Sequence, residues 1–457
     1  MKYVIFTHTG EGLAIAEKLQ REHQSVTVAM IQNRKDTMLP DEMESFSDEE
    51  PDEKKERMAL YDGVFKKYPA EKVVAMLKKV KDKSEYFLFF DFNHAFKYAD
   101  QLKGMGFNGN FPTAEDRKCE VDRDYAKDIV NENYPDVRVA EKREFKSVDD
   151  FMNEIDDMFE NSLWVLKPFS DEAKTKVPDS TDPESAKEEI VSAIEENREG
   201  YEKEGFELER YIPNAIEVTP QRIYYNGKPI YTSVDIETKR LGSAKGPMNG
   251  CASDLVFPVD SGSRIARIAF PKYVDELAKQ HEGMFVWDIS LLIDPRDGTI
   301  YMGEFCPNRV GYNAFYTELS LLPFVSDFFE DIVAGKNPMN GAKAFGASVR
   351  LFFVREKGIK PDVRIGVDEE RSDNLWLIDA KVEKDGTTST VGFIWDVGVA
   401  TGSGFSPEEA IYNCYYNADG LVFENRAYGR SKADFLSFEE PDSILMRYNY
   451  LKENKFI

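Results

Sequence analysis

The chain has 457 residues, 42% of them hydrophobic and 13% aromatic, which is ample for large buried cores and, at roughly 100–200 residues per domain, suggests two to four domains. A formal net charge of −25 repels polyanions, so duplex nucleic acid is not an expected partner, and no apolar run approaches the roughly 20 residues that span a bilayer. The four cysteines (Cys119, Cys251, Cys306, Cys414) form no CxxC and the four histidines have no metal-like spacing, which argues against a disulfide framework or a zinc site and fits a reducing cytoplasm.

Residues 1–112 read as an α/β domain. Tyr3 to Phe6 is a strand pattern, Gly10 and Gly12 mark a turn, and Leu13 to Gln20 has helical periodicity. The acidic stretch 41–56 reads as a solvated loop. Ala70 to Val80 repeats apolar positions at helical spacing, Tyr86 to Phe92 is a run typical of a buried parallel strand, and Ala95 to Lys103 is a helix pattern ended by Gly104. A first subdomain is expected over 113–200, with helices over Asp122 to Asn133 and Glu184 to Arg198 and a strand, Leu163 to Lys167, that ends on a lysine. A second is expected over 201–338, where FELERYI, RIYYN, PIYTSVDIE and MFVWDISLLID alternate as sheet segments do, with hairpin turns at Asn226-Gly227 and Asp297-Gly298. A final α+β region runs over 345–457, with strands SVRLFFV, LWLIDAKV and TVGFIWDVGVATG and a helix from Pro407 to Asn417.

Four places along this order carry chemistry. Lys167 at a strand end can present an ammonium to phosphate oxygens, though surface lysines at strand ends are common. The strand ELERYI, followed by Glu217, can offer backbone groups to adenine and a carboxylate to ribose hydroxyls; the plainer alternative is an amphipathic strand with a wet face. Asp288 is a carboxylate out of place within the apolar strand FVWDISLL, and Glu304 ends the next strand, so a hairpin sets the two side by side with Asn308 close behind. Hard oxygen ligands of this kind suit Mg²⁺, which takes one or two carboxylates plus substrate phosphates; a charged cross-strand pair with a basic partner is the competing explanation. Lys239 and Arg240 precede a stretch holding Gly242, Gly246 and Gly250, suited to a loop over phosphates or to a plain solvated hairpin.

The order of these motifs resembles the phosphoribosylamine–glycine ligases (glycinamide ribonucleotide synthetases) of the ATP-grasp superfamily over nearly the whole length. FPTAEDRKCEVDRDYAKDIV, WVLK, ELERYIPNAIEV, TKRLGSAKGPMNG and IYMGEFCPNRVG are similar to that family's successive motifs, and the segment from WDVGVATG to SKADFL to its terminal domain. The resemblance implies an N-terminal Rossmann-like (pre-ATP-grasp) domain, a two-lobed ATP-grasp domain and a small C-terminal α+β domain. It implies ATP with Mg²⁺ or Mn²⁺ as cofactors and a small-molecule carboxylate and amine as substrates. By the same resemblance Glu209 and Ile212 would contact adenine through their backbone and Glu217 would hold the ribose. Arg123, Lys167 and Lys239 would serve the phosphates, with Lys239 and Arg309 taking part in catalysis. Asp288, Glu304 and Asn308 would hold the metal.

Departures from the pattern fall on the substrate loops. Arg123 stands where the family has a lysine. SDEAKTKVPDS replaces the glycine-rich triphosphate loop. Thr9-Gly10-Glu11-Gly12-Leu13 replaces the family's Gly-Gly-Arg-Glu-His phosphosugar loop, and Asp91-Phe92-Asn93 its Gly-Pro-Glu. Met248-Asn249-Gly250-Cys251 stands for Gly-Gly-Met-Gly. ATP chemistry with an altered amine, carboxylate or both is therefore the expectation. A nucleotide-binding protein without turnover, a true phosphoribosylamine–glycine ligase and a bare interaction scaffold are the alternatives; the sequence does not specify the oligomeric state.

Overall fold

In the computed structural model, which describes residues 1–43, 51–169, 173–241, 248–311, 313–353, 363–394, 396–437 and 443–457, the chain is a mixed α/β protein. The first sheet is parallel throughout, in the order β3-β2-β1-β4-β5. Its strands are β1 (Lys2–Thr7), β2 (Ser25–Met30), β3 (Lys67–Pro69), β4 (Tyr86–Phe90) and β5 (Asn108–Gly109). The near-continuous apolar runs of β1 and β4 follow from burial on both faces. Val4, Phe6, Leu88 and Phe90 pack into one core, while Tyr3, Ile5, Phe87 and Phe89 join Phe315, Phe328 and Phe329 in another. Because β2 and β4 flank β1 on opposite sides, the strand order reverses between β1 and β4, and a crevice opens beyond their carboxyl ends.

Residues 130–216 and 291–303 form a separate compact unit. It is built on the antiparallel sheet β6-β8-β7, made of β6 (Lys142–Phe145), β7 (Leu163–Pro168) and β8 (Phe206–Tyr211). The helices Val148–Phe159 and Pro183–Glu196 close its core of Phe151, Ile155, Trp164, Leu166, Ile190 and Leu208.

The larger unit, residues 1–129, 217–290 and 304–457, also holds most of the central sheet. Its path begins β13-β12-β9-β10-β11-β14 and continues through the strand Asp396–Gly404 to the strand Leu375–Leu377. The members labelled here are β9 (Ile216–Tyr225), β10 (Lys228–Arg240), β11 (Met248–Pro258), β12 (Met284–Ile293), β13 (Ile300–Phe305) and β14 (Phe345–Phe353). β9 and β10 are joined at Asn226 and Gly227, both at positive φ (49° and 75°), as a two-residue hairpin of this twist requires. The region 345–457 does not keep its strands to itself, since β14 pairs with β11 from Ser253↔Val349 to Val256↔Gly346.

Several expected elements differ. The acidic stretch 41–56 is not all loop: Pro51–Ala59 is a helix, and its Arg57 is 1% exposed because its guanidinium donates to the carbonyls of His8, Ile31 and Gln32. Residues 44–50 of that stretch lie outside the described residues. LWLIDAKV is two short strands, Leu375–Leu377 and Lys381–Val382, because the Asp379 side chain turns to accept the amides of Val391 and Gly392. The expected helix Ala95 to Lys103 shortens to Phe96–Asp100 after a 3-10 turn.

Candidate active site

Period-two alternation on the central sheet sends every second side chain to one face, and on β9, β10, β12 and β13 that face is charged. Glu217 at the start of β9 accepts the Ser290 hydroxyl of β12 at 2.8 Å and pairs with the Lys239 ammonium of β10 at 2.8 Å. The amides of Cys306 and Asn308 donate to the carbonyls of Asp288 and Val286, at 3.2 Å and 2.9 Å. This antiparallel register sets Glu304 opposite Ser290, so Asp288, Ser290 and Glu304 share a side. Asp288 is 2% exposed, while Glu304 near the strand end is exposed. The structure thus brings Glu217, Lys239, Asp288 and Glu304 together on one surface. Burial would lower the Lys239 ammonium, but Glu217, Glu237 and Glu304 outweigh it and hold it above its ordinary value.

Three carboxylates of this region were not singled out from the sequence. Asp235 and Glu237 precede Lys239 at two-residue steps on β10, and Asp254 of β11 stands opposite Glu237. All three are buried. The signal was available in SVDIETKR, where acid, acid and base alternate with apolar residues. Burial, and then the charges of Asp254 and Glu237, push the Asp235 carboxyl well above its ordinary range, and neither of its oxygens has a hydrogen-bond partner. Burial pushes Glu237 up to about 7, with Lys239 opposing and Glu217 adding to the shift.

The other expected residues are placed differently. Asn308 is fully buried at φ 54°; its amide oxygen accepts from the Val286 N–H at 3.2 Å and its amide nitrogen donates to Asp116 at 2.9 Å. Both atoms of the side-chain amide of this expected metal ligand are thus engaged within the protein. The Arg309 guanidinium lies 4.9 Å over the Phe92 ring and 3.8 Å from Glu120. Arg123 is exposed at the start of the helix Arg123–Asn133. In the smaller unit Lys167 on β7 pairs with the Glu209 carboxylate on β8 at 2.8 Å. Glu209 is flanked by Lys142 of β6 and Val165 of β7, so its backbone groups point into the sheet. Ile212, the other residue expected to contact adenine, follows the end of β8. Gly242 and Gly246, and residues 170–172 of the altered triphosphate loop, lie outside the described residues.

Among the described residues no three His, Cys, Asp or Glu side chains converge as a metal-binding group. Asp288 and Glu304 by themselves fit Mg²⁺, which completes its octahedron with waters and phosphate oxygens.

No protein-family model matches the sequence, and no curated protein does. Solved structures do. Phosphoribosylamine–glycine ligase from Thermotoga maritima superposes with a TM-score of 0.58 at 17% identity, over 94% of this chain and 99% of that one. Biotin carboxylase from Campylobacter jejuni gives 0.57 at 14% identity, over 99% and 98%. The biotin carboxylase domain of Hydrogenobacter thermophilus 2-oxoglutarate carboxylase, solved with MgADP and bicarbonate, gives 0.55 at 12% identity, over 99% and 97%. These likenesses span both chains almost end to end and show a fold shared with these three enzymes.

Proposed function

We propose that this chain is an ATP-dependent ligase that activates a small carboxylate as an acyl phosphate and joins it to an amine. The observation that carries the reading is the charged face of the central sheet, where Glu217, Lys239, Asp288, Ser290 and Glu304 meet in a fold shared with ligases of this kind. The carboxylate oxygen attacks the γ-phosphorus, the bond to the β-phosphate oxygen breaks, and ADP leaves. The amine then attacks the acyl carbon and inorganic phosphate departs. Catalysis of such phosphoryl transfer is mainly positioning and charge stabilisation.

The residues divide that work by their chemistry. Lys239, a compact cation held by Glu217, is suited to a phosphate oxygen, and Glu217 is then released to the ribose hydroxyls. Arg309 would meet charge developing on the acyl phosphate. Lys167 and Arg123 are further cations for the phosphates, and Ile212 the adenine contact. Asp288 and Glu304 would hold Mg²⁺ or Mn²⁺, which when bound neutralises the transferring phosphoryl group. Among the described residues no helix is long and apolar enough to cross a membrane, and we place the reaction in the cytoplasm.

Release of ADP from ATP, followed with mixtures of carboxylates and amines, tests the reading: production dependent on both substrates supports it, and nucleotide binding with no ADP under any mixture would favour a binding protein without turnover. The substitution of Glu11 in the phosphosugar loop sets phosphoribosylamine aside as the amine. A like charge at about 4 Å costs on the order of 1 kcal/mol in water and about 4 kcal/mol at an effective dielectric of 20.

A further inference from the structure

Lys239 stands where strand β10 loses its regular pairing. β10 runs in step with β9 as far as Asp235↔Thr219 and with β11 from Ser233↔Pro258 to Thr238↔Ser253. The next pair is Arg240↔Met248, so the register breaks across Lys239. Such a break bends a strand and takes main-chain groups out of the ladder, and buried ones must then find other partners.

Two arginines from the region 345–457 supply such partners on either side of Lys239. Arg447, on the helix Ile444–Glu453, donates from Nη1 to the Glu237 carbonyl. Arg430, shortly after the strand Arg426–Tyr428, donates from Nη1 to the Arg240 carbonyl at 3.2 Å. Both side chains are buried, and each is held from behind. Tyr448, next to Arg447, packs its ring edge-on against Phe257 of β11 and Phe345 of β14, with centroids 5.3 Å and 5.6 Å away. The Arg430 carbonyl accepts the Tyr415 hydroxyl at 2.5 Å, and the Gly429 N–H donates to the Arg350 carbonyl of β14 at 2.7 Å. Gly429 permits that approach, since a Cβ there would stand 2.3 Å from the Ala252 carbonyl oxygen.

A bond to a carbonyl does not by itself call for a guanidinium. Removing that group from water is costly, and a neutral donor can satisfy the same oxygen. What a guanidinium adds is a planar, always charged donor of fixed direction. Here two of them fix main-chain groups just before and just after Lys239. The lysine stem is flexible and loses much rotamer freedom when held, so the place of its ammonium depends on where its backbone is anchored. With both flanks held, its Nζ meets the Glu217 carboxylate at 2.8 Å.

We propose that Arg430 and Arg447 are positioning residues for Lys239: from the C-terminal region they clamp the irregular end of β10 and so set where the Lys239 ammonium lies. That this placement serves a phosphate rests on the function proposed above; the clamp itself does not.

Acetylation of the full chain without nucleotide, with the rate at each lysine read by mass spectrometry, tests the clamp. Only the neutral amine reacts, so a lysine paired with a carboxylate reacts slowly. In Arg430→Met and Arg447→Met the Lys239 rate should rise by at least about threefold as Glu217 loses its hold. Two other lysines are references. Lys279, with a side chain 58% exposed, should keep its rate, and buried Lys18 accelerates only if the larger unit opens. A merely structural role predicts a lower melting temperature with Lys239 either unmoved or accelerating together with Lys18, and both results overturn the proposal. Arg447→Lys, which keeps a donor of shorter reach, should raise the Lys239 rate by less than Arg447→Met. It decides the matter if neither methionine variant folds, an unchanged Lys239 rate then overturning the clamp. In the folded variants Mg²⁺-ATP should bind at least about tenfold more weakly, the loss of one charge-assisted contact. A faster Lys239 with unchanged Mg²⁺-ATP affinity would overturn its link to phosphate. A parent with no thermal response to Mg²⁺-ATP would sink only the ligase reading, and a responding parent whose variants leave the Lys239 rate unmoved would sink only this one.

Discussion

Glu304 and Asn308 sit four residues apart yet answer to different forces. Glu304 is exposed on the charged face, so on the proposed function Glu304→Gln would remove one hard ligand and little packing. ADP release should fall by at least about a hundredfold, with the melting temperature within a few degrees of the parent; near-parental turnover would show the metal strand to be misassigned. Asn308→Ala should behave the other way, losing about 2–4 kcal/mol of stability in urea unfolding. It gives up both amide bonds, leaves a buried Asp116 oxygen with one donor fewer, and keeps a positive φ that alanine tolerates poorly. A third residue, Lys18, is 5% exposed, donates to the Ser372 carbonyl and lies 5.2 Å over the Trp376 ring. Burial lowers its ammonium from 10.5 to about 8. Between those values the unfolded chain binds the extra proton, so stability should rise with pH across that window, by at most about 1.4 kcal/mol per unit. The stability difference between the parent and Lys18→Met, followed from pH 7 to 11, should change in that window; a constant difference would place the Lys18 titration elsewhere.

At the scale of elements, one close approach between the parallel sheet and the central sheet lies at Asn110. Asn110, after β5, bridges Gly283 and Met284 at the start of β12, and its side chain clasps both the N–H and the carbonyl of Phe90. Gly283 has φ 72°, and a Cβ there would collide with the Gly109 carbonyl oxygen. Gly283→Ala should therefore cost about 3 kcal/mol or more, since strain and a backbone clash add. Chemical denaturation would measure it, and a loss below about 0.5 kcal/mol would mean the junction yields easily. The position was not marked in the sequence, where His281-Glu282-Gly283 looks like an ordinary turn. By contrast β1, β4 and the β9–β10 hairpin were legible to within a residue or two, because apolar runs and Asn-Gly are local signals.

For the whole molecule the net charge of −25 sets the condition for nucleotide binding. In the proposed site, ATP without a metal would meet Glu217, Glu237, Asp288 and Glu304 as a polyanion, whereas Mg²⁺ would reverse the local field at two of them. Mg²⁺-ATP at 100 times its dissociation constant should add about 2.7 kcal/mol of stability, seen as a rise in melting temperature, and excess EDTA should abolish it. An equal shift with and without the metal would contradict the assignment of Asp288 and Glu304. The sequence by itself determined the alternation of strands and helices, the hairpins and the order of charged residues along them, because these follow from local periodicity and turn chemistry. Only the tertiary structure decided which of those charges meet. The hairpin already placed Asp288 beside Glu304 in the sequence, but Glu217 and Lys239 join them only through the packing of β9 and β10 against β12. Asn308 is spent on Val286 and Asp116, residues 22 and 192 positions away. The Asp91 carboxylate accepts the Gly12 N–H because parallel pairing lays β4 beside β1, a long-range choice governed by burial of two apolar faces and invisible to any window of sequence.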